Sequence, residues 1–188
     1  MKSRLSPFLF VVTLLLVATA AVADEYTDTI SIFKNAGESG TYFGHAYGYA
    51  VFPTVGKGGL GVGAAHGSGR VYVQGAHVGN VKMTQISVGL QAGGQAFSQI
   101  VFFQDKRSFD EFAKGSYEFD ATVQAVAITA SATASAGTAG AAAGAAGGKN
   151  DATTAGKYYK GVAVFTVAKG GLMYQAAVGG QKFKYKPK

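Results

Sequence analysis

Three short runs constrain this chain most: YAVF (49–52), IVFF (100–103) and GVAVFTVA (161–168) are apolar at nearly every position. Successive side chains of a strand point to opposite faces, so a strand made from any of these runs needs cover on both sides. That requirement favours a closed or strongly curled sheet over an open one with a wet face. Further β-rich runs, GLGVGAAHG (59–67), RVYVQGAH (70–77) and VKMTQISVGLQ (81–91), are separated by turn-forming residues. In the last of them Ile86, Val88 and Leu90 alternate with Gln85, Ser87 and Gln91, which predicts a half-buried strand with the apolar trio inside.

Two short helices accompany the strands. Asp24 to Gly37 sets Ile30 and Phe33 at helical spacing behind Asp24, Glu25 and Asp28, acids that suit the positive end of a helix dipole. DKRSFDEFAKG (105–115) offers Asp105 as N-cap, Phe109 and Phe112 three apart, and Gly115 as the stop. The expected fold is α+β: a single domain with a curled, mainly antiparallel, barrel-like sheet flanked by short α-helices.

Residues 1–23, MKSRLSPFLFVVTLLLVATAAVA, combine Lys2 and Arg4, an apolar run and a small-x-small end. They read as a cleaved secretory signal, the run being shorter than the roughly 20 apolar residues of a membrane span. The expected location is therefore exported, periplasmic or secreted. The chain has no cysteine, which rules out a lipid-modified cysteine and disulfides alike. Residues 24–188 form the expected domain, with a flexible Ala/Gly-rich loop at about 130–156 that has too little apolar bulk to offset the entropy of ordering it. Without Lys2 and Arg4 the formal charge falls from +7 to +5, an excess that favours anionic partners. Nucleic acid is not among them, since only Arg70 and Arg107 remain and no basic stripe is present.

Glycines 56, 58 and 61 have the G-x-G-x-x-G spacing of a dinucleotide turn. A nucleotide site would need a helix beginning there and an acid about 20 positions later; a strand-like run follows instead, and the region near position 80 holds Asn80 and Lys82. Ala-Val-Phe and Lys-Gly-Gly-Leu recur in AVFTVAKGGL (163–172), where the three-glycine spacing is lost, and GGQAF (93–97) is echoed by GGQKF (179–183). The repetition suggests two related hairpins, with Lys57 and Lys169 at their turns.

His45, His66 and His77 are scattered and have no acidic neighbours, so no metal is expected, nor any cofactor. No Gly-x-Ser-x-Gly elbow is present and most carboxylates fall on presumed helices, which argues against an enzyme. Asp105, Glu118 and Asp120 are left over, with no pattern that brings them together. The carboxyl end, QKFKYKPK, alternates Lys182, Lys184 and Lys186 with Phe183 and Tyr185; as a strand it sets three cations on one side and two rings on the other. Lysines on such a strand protect a sheet edge, and they equally suit lipid headgroups.

YGYAVFPTVGKGGLGVG, GQAFSQIVFF, SFDEFAKG and GVAVFTVAKGGLMYQAAVGGQKFKY, taken in this order from about Ala46 to Tyr185, resemble the SYLF domain family, in particular its exported bacterial branch. The resemblance implies a compact α+β domain, binding to phosphoinositides or other acidic lipids by analogy with eukaryotic members, actin binding as in fungal members, and no enzymatic activity. The expected function is an exported, non-enzymatic protein that binds anionic lipid or a membrane surface through Lys57, Lys169, Lys182, Lys184 and Lys186. The alternative is a structural or protein-interaction module with a partner in the cell envelope; a small-molecule carrier stands third.

Overall fold

The computed structural model describes residues 24–119, 123, 125–128, 157–170 and 178–188. The expected signal segment and Ala/Gly-rich loop lie outside these residues. The chain enters through helices α1 (Asp24–Asn35) and α2 (Gly37–Tyr42), followed by two very long strands, β1 (Gly48–Val73) and β2 (Ala76–Phe103). Helix α3 (Lys106–Ala113), strands β3 (Tyr117–Glu118) and β4 (Ala125–Ile128), then β5 (Val162–Gly170) and β6 (Lys182–Pro187), complete the fold.

Strands β1 and β2 form one antiparallel ribbon, closed by the two-residue turn Gln74–Gly75, with φ of 50° and 81°. Positive φ at both positions matches the twist of the flanking strands. Strand β6 pairs with the first half of β2 at residues 79–84, and β5 with the second half at 96–103, both antiparallel. The two outermost strands are β3, antiparallel on β6, and β4, parallel on β5. The sheet is thus mainly antiparallel.

The ribbon folds back on itself where its glycines face each other, Gly58 opposite Gly94 and Gly59 opposite Gly93. A register shift follows between Leu60 and Val62, where Gly59 has φ 155°. The fold-over lays the two halves of β1 side by side: a Cβ on Gly48 would lie 2.5 Å from the Tyr72 carbonyl oxygen, and one on Gly69 would lie 2.7 Å from the Phe52 ring. This is the curl that the doubly apolar runs require.

Its two faces carry separate cores. Inside the curl, Phe52, Val71, Met83, Val101, Phe103, Val164 and Phe183 pack with Phe112 of α3. On the outer face, Val51, Ile100, Phe102, Ala163 and Phe165 are covered by Phe33 of α1 and by Tyr42 and Phe43. YAVF, IVFF and VAVF are therefore buried on both sides, and each fully buried Phe is worth roughly 1.5–3 kcal/mol.

Two expectations are corrected. Lys57 and Gly58 lie within β1, opposite Gln95 and Gly94, and the hairpin turn is 16 residues or more further on, at Gln74–Gly75. The two sequence copies are also not two related hairpins. Ala50 and Phe52 face the inner core and Val51 the outer one, whereas Ala163 and Phe165 face outward and Val164 inward. Moreover, β5 and β6 pair with different halves of β2.

The face of VKMTQISVGLQ is reversed as well: Gln85 is 4% exposed and Ile86 is 77% exposed. Alternation runs through from Val81 and Met83, both buried, and a strand cannot change face without a bulge. Burial of Gln85 is compensated by its amide, which donates to the Gly179 carbonyl at 2.8 Å.

Candidate functional site

β6 supplies the cations and β2 gives them a setting. Phe183 is buried and Tyr185 half-buried on the inner side, so Lys182, Lys184 and Lys186 are held on the outer face, all exposed. Register aligns Lys182 with Thr84, Lys184 with Lys82 and Lys186 with Asn80. On the far side of β2 the same rungs continue into His66, Ser68 and Arg70 of β1. Residues directly opposite share a face and stand about 4.5–5.5 Å apart at Cβ.

Lys82 and Lys184 are thus like charges placed directly across a strand pair, an arrangement that costs stability unless an anion or solvent screens it. An acid at the margin is Glu118 of β3, 3.5 Å from Lys182. At the other margin the Arg70 guanidinium sits 4.0 Å above the Tyr26 ring of α1. The face can hold anions at its surface.

Lys57 and Lys169 are elsewhere. Lys57 is half-buried at the fold-over, and that burial lowers the pKa of its ammonium group. Lys169 Nζ donates to Thr54 Oγ1 at 3.0 Å, Thr54 Oγ1 donates to Glu25 Oε1 at 2.9 Å, and Lys169 lies 3.5 Å from the same carboxylate oxygen. Lys169 therefore helps tie α1 to the sheet, and it sits on β5, at the opposite half of β2 from the β6 lysines.

Lys82 was not among the sequence candidates. The alternation of Val81 and Met83 with Lys82 and Thr84 would have placed it on a solvent face, but nothing local shows that its neighbour is Lys184, about a hundred residues later.

The remaining polar groups have other work. Gly56–Gly63 is strand, and β1 continues to Val73, so no helix N-terminus stands behind these glycines to receive a pyrophosphate. Asp105 caps α3, accepting the Ser108 amide at 2.8 Å. Asp120 lies outside the described residues. His77 Nε2 lies 3.0 Å from the Gly79 carbonyl oxygen, His66 is on the outer face of β1, and His45 lines a cleft of about 380 Å³ with Glu38, Tyr42, Lys157 and Tyr158. Among the described residues no three metal-ligating side chains converge, and no helix is long and apolar enough to cross a membrane. Gln99 and Gln181, both fully buried, exchange amide hydrogen bonds of 2.8 and 3.0 Å and lock β2 to the segment that enters β6.

Fold and site together define an α+β domain with a curled sheet and a lysine-lined outer face. No family model matches the chain. It is 29% identical over 169 residues to beta cell expansion factor A of Aeromonas veronii, an alignment covering 89% of this chain and 56% of that protein. The chain thus spans little more than half the length of this relative.

Proposed function

We propose that this chain is an exported, non-enzymatic binding protein of the SYLF type that adsorbs to anionic lipid surfaces through Lys82, Lys182, Lys184 and Lys186. The observation that carries this reading is the register of Lys82 against Lys184, with Lys182 and Lys186 on the flanking rungs of the same face. Export rests on the pattern of residues 1–23, and SYLF membership on the ordered motifs from Ala46 to Tyr185. Lys57 and Lys169 are left out of the surface because one is half-buried and the other is engaged with Glu25 and Thr54. The relative from Aeromonas veronii is named for an effect on beta cells, and that name specifies no ligand.

Four lysines near an anionic membrane contribute about 4 kcal/mol, against about 8 kcal/mol for micromolar affinity. Charge alone therefore gives weak, salt-sensitive adsorption. Flotation with vesicles of phosphatidylglycerol and phosphatidylcholine should recover the protein at low salt and lose it at high salt, whereas pure phosphatidylcholine vesicles should recover little. Replacing all four lysines by Gln should weaken partitioning by up to about three orders of magnitude while leaving the far-UV spectrum intact. Equal recovery on charged and neutral vesicles would overturn the proposal.

A further inference from the structure

Among the described residues the exposed large apolar side chains are two, Val62 at 60% and Ile86 at 77%. They are neighbours. Ile86 of β2 stands directly opposite Ala64 of β1, itself exposed, and Val62 is the next residue of β1 on that same face. The diagonal separation, about 7–8 Å, lets the two side chains form one ridge. It lies on the β1–β2 ribbon beside the fold-over, at a rim of the sheet between the residues of β2 that pair with β6 (79–84) and those that pair with β5 (96–103).

Ile86 also shares a face with Lys82, four residues back along β2, or roughly 13 Å at 3.3 Å per residue. One outward surface therefore carries apolar groups at the rim, then the rung of His66, Thr84 and Lys182, whose long side chain can reach back towards the headgroups, then the opposed lysines Lys82 and Lys184. Cations and apolar groups stacked in this sequence match the layering of a membrane interface, where an apolar face sinks about 5–10 Å below headgroups that hold the cations.

From this continuity of ridge and cationic face we infer that Val62 and Ile86 insert into the acyl layer of an anionic bilayer while Lys82 and Lys184 stay at phosphate level. The inference rests on the adsorption proposed above and adds a depth and an orientation to it: the ribbon enters rim first, with its Gln74–Gly75 turn nearer the water.

The chain has no tryptophan, so Ile86→Trp creates a single fluorescent reporter, Val62→Trp a second, and Ser68→Trp, opposite Lys82 on the same face, a reference at headgroup level. The full chain is mixed with vesicles of phosphatidylglycerol and phosphatidylcholine carrying brominated acyl chains, and each sample is also floated. The rim reporters should shift to the blue and lose most of their intensity, with Ser68→Trp changing little. Flotation without quenching at either rim position would overturn the insertion while leaving surface adsorption standing. Failure to float would remove adsorption and insertion together. A blue shift that grows with protein concentration in the absence of lipid would mean that a second copy covers the ridge, and would also overturn the inference.

Discussion

At Gly69 the returning half of β1 passes so close to the first half that an added Cβ would lie 2.7 Å from both the Phe52 ring and the Val51 carbonyl oxygen. Neither neighbour can yield cheaply, because the ring is fully buried and the oxygen belongs to a paired strand. Gly69→Ala should therefore destabilise the fold by about 1–3 kcal/mol. Gly94→Ala, where nothing lies within 4 Å, should fall within about 0.5 kcal/mol of wild type. Urea unfolding midpoints decide the matter; equal losses at the two positions would mean that the fold-over is not held by close contact at Gly69. Little at this scale was legible in the sequence. Gly69 closes a Gly-Ser-Gly run and Gly94 belongs to a Gly-Gly pair, so the doubled glycine looks the more constrained of the two although the close contact is at Gly69; and Lys57 is separated from the actual turn by half a strand because Gln-Gly makes a tight turn without advertising it as Asn-Gly would.

Elements with local rules were the most legible. Helix α3 starts and stops where Asp105 and Gly115 place it: Asp105 Oδ1 accepts the Ser108 amide, Ser108 Oγ packs back on the cap, and Gly115 has φ 96°. Asp105→Ala should lower the melting temperature by a few degrees and speed hydrogen exchange in the first turn, while Asp105→Asn, also a good cap, should retain most of the stability. Hydrogen bonds from Ser108 hold the Asp105 carboxyl below its ordinary pKa, so this contribution is present above the unfolded value and is lost as the pH falls from there through the lower, folded value. Wild-type stability in both variants would refute the cap. The face of strand β2 was less legible, because Ile86 and Gln85 each satisfy alternation and only the partner across the sheet chooses between them. The repeated Ala-Val-Phe was read as a duplicated hairpin for a related reason: similar text can occupy either face of a strand that is buried on both.

For the molecule as a whole, tyrosines gather where α1 and α2 cover the outer face, Tyr26 and Tyr42 from the helices, Tyr49 from β1 and Tyr158 from the segment before β5. Burial raises the pKa of Tyr26, Tyr42 and Tyr49, and that of Tyr158 to about 12. The neutral phenol is the form the fold favours, so its contribution is complete below the unfolded pKa of about 10 and is lost as the pH rises towards the folded value. Unfolding midpoints should accordingly drop between about pH 10 and 12. Tyr158→Phe should be neutral at pH 7, because the buried hydroxyl has no hydrogen-bond partner among the described residues, and should flatten part of the alkaline loss. An unchanged alkaline profile in that variant would count against the assignment. The text of the chain alone carries the need for cover on both sides of YAVF, IVFF and VAVF, the presence of α1, though not its end at Asn35 or the helix α2 that begins at Gly37, the bounds of α3, and the alternation that turns the carboxyl-terminal lysines away from Phe183 and Tyr185. These follow from periodicity and capping, which act within a few residues. Packing across the sheet sets where the ribbon folds over, that Gln85 is buried and Ile86 exposed, and that Lys82 meets Lys184. Those outcomes depend on which strand lies alongside which, and pairing is selected by burial summed over segments up to a hundred residues apart.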